Sequence, residues 1–270
     1  MYVKTQHGLS LNGAWKMQLS LYAGWIAGAG LLYCFTGSNL LLYAPLLITV
    51  HLLSGVGVIL FTFINKKDNF RLIPKINISL ETFLMAFSMA LALVMVKDGL
   101  GYLLPLPAWP ELSFTSIHTG SGYMIIVSVM LAAFMEELLF RGIIMEALLH
   151  RYSGGVALLQ SSLLFMLAHP DPAQMPGTFL LGLLTGIFYL RFRDLCSCFL
   201  IHLTHNAAAA LLISAGTFQF MAASPVMYVM IIAGCVVVLT AGYFMLRKLT
   251  PATAKPMPEK IRPKAVLLTK

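Results

Sequence analysis

Residues 121–150 read SGYMIIVSVMLAAFMEELLFRGIIMEALLH. The stretch is long enough to cross a bilayer, since a spanning helix needs about 20 predominantly apolar residues. Its middle nevertheless carries Glu136, Glu137 and Arg141. Charges at such depth are costly, so they either pair with one another or belong to a site. This stretch therefore points to a helix in lipid whose inner face is polar.

The rest of the chain agrees. Its 270 residues are 59% hydrophobic and 10% charged, with a mean hydropathy of +0.85. Soluble domains are about one quarter charged. Apolar runs of helical length recur throughout, so an all-α, polytopic membrane protein is expected. Open sheets cannot cross lipid because their backbone groups would stay unpaired. The alternating pattern of an outer-membrane barrel is absent. Eight spans are expected, at roughly 18–35, 39–64, 77–96, 121–150, 155–169, 177–190, 195–214 and 225–247. The breaks carry turn residues, such as Thr36-Gly37-Ser38-Asn39, Ser153-Gly154-Gly155 and the prolines between Pro170 and Gly177.

Basic residues orient these spans. With the N-terminus inside, 16 of the 18 Lys and Arg fall on inner segments. They are Lys4 and Lys16, the group from Lys66 to Lys75, Arg151, Arg191 and Arg193, and the tail from Arg247 to Lys270. Only Lys97 is assigned to an outer segment, and Arg141 lies within a span. Both termini are thus expected inside, in the cytoplasmic (inner) membrane of a bacterium. The net charge of +8 follows from this topology and does not indicate a nucleic-acid partner. Residues 1–249 read as one membrane domain with a core near 121–214, and 250–270 as a basic, Pro-rich, disordered cytoplasmic tail. The loop 97–120, with three prolines and Trp109, reads as interfacial. No removable signal peptide is expected, because the basic N-terminus lacks an adjoining apolar core. The four cysteines lie in apolar runs without zinc-site spacing and read as packing residues.

Three polar motifs remain. Glu137 and Arg141 are four apart and share a helix face, with the acid on the favourable N-terminal side. Glu136 points about 100° away, toward the face of Phe140. One glutamate is thus neutralised while the other is left for chemistry; the alternative is a packing network of all three. Phe165 and His169 are also four apart, as are His202 and Asn206, with His205 bordering that last face. Taken alone, the last motif also fits an interhelical hydrogen-bonding cluster. Glu136 and His169 each lie roughly 21–22 Å from the turn that joins their helices, so they can face each other. A glutamate beside a histidine can activate water as a general base. A second histidine and an asparagine can donate hydrogen bonds to the oxyanion of an attacked carbonyl. Glu136, His169 and His202 could instead hold zinc, although H-E-x-x-H is absent.

E-E-x-x-x-R at 136–141, F-x-x-x-H at 165–169 and H-x-x-x-N at 202–206, in this order on successive helices, resemble the CPBP (Abi) family of intramembrane proteases. That family includes the type II CAAX prenyl proteases. The likeness spans roughly residues 121–214 and implies eight helices around a conical intramembrane cavity. It implies that Glu136 is the catalytic glutamate and His169 its partner. It further implies that His202 and Asn206 stabilise the oxyanion, and that Glu137, Arg141 and Phe165 support the site. His205 lies in the last motif but outside its defining positions. A metal-free mechanism is preferred, with zinc left possible. Bacterial members of the family act in peptide sorting and bacteriocin immunity. The expected partners are therefore a membrane-embedded or membrane-proximal protein or peptide substrate and the lipid bilayer. A non-catalytic immunity or scaffold protein of the same fold, or a proton-coupled transporter, are the other readings.

Overall fold

The computed structural model describes residues 9–36, 44–65, 78–108, 128–169 and 171–249. Among these the fold is helical, with no strand. The helices are α1 (Leu11–Thr36), α2 (Ala44–Asn65), α3 (Leu80–Leu103), a composite α4, α5 (Gly154–Leu167), α6 (Met175–Phe192), α7 (Leu195–Ser214), a short α8 (Thr217–Ala222) and α9 (Pro225–Lys248). The composite α4 runs as π-helix (Ser128–Ala132), α-helix (Ala133–Glu137), π-helix (Leu138–Met145) and α-helix (Glu146–Leu149).

Eight long helical segments therefore occupy the positions of the expected spans. Four of them, α3, α6, α7 and α9, are long and apolar enough to cross a membrane. Helix α5 is shorter, at 14 residues. One boundary differs in a way that matters. The third span was expected to stop at residue 96, yet α3 continues to Leu103. Lys97 is thus a helical residue and not part of a loop. Only 104–108 follow as non-helical chain, and Trp109 with the rest of the expected interfacial loop lies outside the described residues, as does the tail 250–270.

Local chemistry sets the helix starts. Ser79 caps α3 by accepting from Thr82 N, and Glu81 lies in the first turn, where a negative charge suits the helix dipole. Asp194 caps α7 by accepting from the backbone of Cys196 and Ser197 and from the Ser197 hydroxyl. Pro176 stands in the first turn of α6, where its missing N–H has no helical partner to lose.

Helices α5 and α6 form a closely packed antiparallel pair. A Cβ on Gly182 would lie 3.1 Å from Ser162 Cα, and one on Gly186 would lie 2.4 Å from Leu158 Cδ1. Without a side chain at Gly182 the two backbones approach closely, and Gly186 leaves room for the Leu158 side chain. Helix α3 packs on α6, α7 and α9, and α4 leans on α5 and α7. At the C-terminal end of α4, Glu146 accepts from the Tyr189 hydroxyl at 2.8 Å and pairs with Arg193. Arg193 adopts a left-handed conformation (φ 51°) that ends α6. The Arg191 guanidinium hydrogen-bonds the carbonyls of Arg247 and Leu249 and so fixes the end of α9.

Candidate active site

The helices α4, α5 and α7 bring the three polar motifs to one place. Glu136 Oε2 lies 3.7 Å from His169 Nε2 and 3.7 Å from His202 Nε2. All three side chains are buried. The similar depths expected of Glu136 and His169 are realised, and His202 joins them to make a three-membered cluster.

Phe165 is the platform beneath it. Its ring centroid is 5.0 Å from that of His169, 5.6 Å from His202 and 5.2 Å from Phe140. The Arg141 guanidinium stacks over the same ring at 4.5 Å. The Phe165 carbonyl also lies 3.0 Å from His169 Nδ1. A carbonyl only accepts, so Nδ1 carries the proton and, in the neutral ring, Nε2 presents its lone pair toward Glu136. Spacing alone placed Phe165 and His169 on one face. It does not reveal that the same residue aims the imidazole twice, by ring and by carbonyl.

Glu137 and Arg141 pair as their spacing predicts. Arg141 Nη1 donates to Glu137 Oε1 at 3.0 Å, and Nη2 donates to the Gly182 carbonyl at 3.0 Å. The close α5–α6 approach at Gly182 is what brings that carbonyl within reach. Arg141 is 0% exposed, so its charge depends entirely on these partners and the Phe165 ring. Glu137 has a second contact that the sequence did not disclose. Its Oε1 also lies 2.7 Å from His202 Nδ1. Both adjacent glutamates therefore reach His202, one at each ring nitrogen. The expected division, with Glu137 serving Arg141 alone, is incomplete.

Asn206 follows His202 by one turn of α7 and is half-buried. Among the described residues it makes no hydrogen bond to Glu136, His169 or His202. His205 is buried and lies near the backbone of Ala90 in α3. It forms no ion pair with Glu136 or Glu137. Two residues near the cluster escaped the sequence reading. His51 of α2 and Lys97 of α3 both contribute to the electrostatics at His169. An ionisable residue at mid-helix in an apolar span was the available signal for His51.

No group of three His, Cys, Asp or Glu among the described residues is arranged to hold a metal ion. The zinc set considered from the sequence (Glu136, His169 and His202) is not among such groups, and no step below runs through a metal.

The arrangement holds a carboxylate facing a histidine lone pair, with a second histidine braced by another carboxylate. Residues 119–208 match the family model described as Type II CAAX prenyl endopeptidase Rce1-like. That interval contains all three motifs. No curated protein and no solved structure shows a significant match to the chain.

Proposed function

We propose that this chain, an integral membrane protein whose residues 119–208 form a domain of the Rce1-like protease family, is an intramembrane endopeptidase. Its substrate is a peptide bond in a membrane-embedded or membrane-proximal protein. The observation that carries the reading is Glu136 Oε2 standing 3.7 Å from the Nε2 atoms of both His169 and His202.

Two acceptors 3.7 Å apart suit one water. An oxygen placed about 2.8 Å from each sits at the apex of a triangle and can donate a hydrogen bond to both. Glu136 takes the proton as this water attacks the scissile carbonyl, and His169 holds its other hydrogen. The carbonyl oxygen becomes an oxyanion facing His202 and Asn206. His202 Nδ1–H donates to Glu137, so a second donor at Nε2 requires the imidazolium form. Two ionised glutamates, Arg141 and that imidazolium sum to zero charge, which suits a buried cluster. Collapse of the tetrahedral intermediate breaks the C–N bond, and Glu136 returns its proton to the leaving amine.

The topology belongs to the same proposal. The eight long segments cross a bacterial cytoplasmic membrane with both termini inside, as one membrane domain followed by a cytoplasmic tail. With Lys97 inside α3, the outer segments keep no basic residue, which strengthens the charge asymmetry.

Purified wild type and Glu136→Ala are compared for cleavage of a panel of membrane peptides, with and without a chelator. Cleavage by the wild type only, indifferent to the chelator, is expected. Cleavage surviving Glu136→Ala overturns the assignment. Loss on chelation, restored by zinc, overturns the metal-free route.

A further inference from the structure

Ser161, Phe165 and His169 follow one another at intervals of four, down one face of α5 and the turn that ends it. Phe165 and His169 belong to the cluster. Ser161 is buried, and the mechanism does not use it. Its hydroxyl donates to the Phe140 carbonyl of α4 at 2.9 Å. A serine or threonine inside a helix commonly bonds the carbonyl four residues back in its own helix. Ser20, Ser54, Thr185 and Thr240 all do so. Ser161 turns away from its own helix and reaches the neighbouring one.

The acceptor is as telling as the donor. Phe140 lies in the π-helical stretch Leu138–Met145, directly before Arg141 and about one turn after Glu136 and Glu137. A carbonyl has two lone pairs, so that of Phe140 can accept from Ser161 as well as from its own helix. Helical carbonyls point toward the C-terminus, so the contacts between antiparallel α4 and α5 fall in order. Glu136 faces His169, the Phe140 ring packs on Phe165 at 5.2 Å, and one step farther the Phe140 carbonyl meets Ser161. A ring contact tolerates sliding and rotation. A hydrogen bond weakens steeply once its length or angle departs from the optimum. Ser161 is therefore the point at which α4 is fixed against α5 both along its axis and about it.

We propose that Ser161 is a positioning residue that sets the register of α4 on α5 and so holds Glu136 and Glu137 at their distances from His169 and His202. Its effect on turnover rests on the proposed protease reading, and its effect on the two histidines rests on the geometry alone. Glu136 must meet His169 across the same helix pair that Ser161 locks, and misplacement of reacting groups is costly in rate.

The adjacent Ser162 supplies the control. It is as buried as Ser161, and its hydroxyl has no hydrogen-bond partner among the described residues. Full-length protein labelled with 15N-histidine in detergent micelles is compared as wild type, Ser161→Ala, Ser161→Thr and Ser162→Ala. The 15N shifts of His169 and His202, assigned through His169→Asn and His202→Asn, report the hydrogen bonds at each ring nitrogen without any substrate. Cleavage is measured on a membrane peptide that the wild type cuts. Ser161→Ala is expected to move the shifts of both histidines, lower kcat about tenfold and leave KM within about twofold. Ser161→Thr keeps the hydroxyl and should restore both readouts, and Ser162→Ala should match the wild type. Thermal melting confirms that each variant is folded. Should Ser161→Ala fail to fold, Ser161→Cys, similar in size and a weaker donor, replaces it with the same expected direction. A Ser161→Ala that melts lower but keeps the wild-type histidine shifts has lost only a structural contact, and overturns the inference. An equal response to Ser162→Ala, or a folded Ser161→Thr that restores neither readout, also overturns it. If the shifts move as expected while cleavage survives Glu136→Ala, the protease mechanism fails and the register role of Ser161 stands.

Discussion

Glu137→Gln probes the junction of stability and chemistry. The substitution keeps the shape and removes the charge. In the wild type Glu137 Oε1 accepts from Arg141 at 3.0 Å and lies 2.7 Å from His202 Nδ1. Removing one partner of a buried ion pair costs about 3–5 kcal/mol, because the other charge is left uncompensated. Arg141 is fully buried and keeps only the Gly182 carbonyl and the Phe165 ring, so that range applies here. The same change takes from His202 the carboxylate that orients its ring. Loss of one oxyanion donor lowers kcat by about 10²–10³-fold. Glu137→Gln is therefore expected to be both destabilised and slow.

A second substitution separates the two effects. In Glu137→Gln with Arg141→Met, no uncompensated charge remains, and replacing both members of a buried pair is often near neutral for stability. Thermal melting in detergent should recover most of the loss. Activity should not recover, because His202 still lacks its carboxylate. The readouts are the melting temperature and kcat on a membrane peptide that the wild type cleaves. A double variant that regains activity along with stability would show that Glu137 matters only as a counter-ion for Arg141, and the role assigned to it at His202 would be wrong.

Three further outcomes are expected. Phe165→Leu keeps the carbonyl that meets His169 Nδ1 but removes the ring under two histidines and Arg141. Each lost aromatic contact is worth about 0.5–1.5 kcal/mol, so melting should fall and kcat should drop more than KM rises. Gly182→Ala sets a Cβ 3.1 Å from a backbone carbon of Ser162; forced overpacking of this kind costs about 1–3 kcal/mol, read as a lower melting temperature with α5 and α6 pushed apart. Asp194→Ala removes the cap of α7 and should cost about 1 kcal/mol in melting while leaving KM unchanged, since Asp194 touches none of the cluster residues.

Much of the fold was legible because the physics is local. Apolar runs of helical length and turn residues located the long helices, and i,i+4 spacing correctly paired Glu137 with Arg141. The meeting of Glu136 with His169 was legible too, since two antiparallel helices joined by a short turn carry their residues to computable depths. Contacts between residues distant in the chain were not. Glu137 and His202 are 65 positions apart, and nothing in either motif says which nitrogen faces which carboxylate. Lys97 was misplaced for a different reason. Counting basic residues to orient spans treats each Lys as loop material, and that convention hides one drawn into a helix.

Why two adjacent glutamates can serve one histidine is a question of helix geometry. On a regular α-helix neighbouring side chains diverge by about 100°, which argued for separate faces. Here Ala133–Glu137 is a single α-helical turn between two π-helical stretches. Bonding to the fifth residue widens the helix and lowers the rotation per residue, so neighbours at such a junction diverge less. The carboxylates also reach different atoms of the same ring, Glu137 at Nδ1 and Glu136 toward Nε2, so full convergence is not required. π-helical insertions carry a cost in hydrogen-bond geometry and occur often at functional sites. In α4 the distortion has a specific consequence. It lets Glu137 hold Arg141 and His202 while Glu136, one residue earlier, faces His169, so a charge-balanced cluster is built from one helix with two carboxylates rather than from two helices with one each.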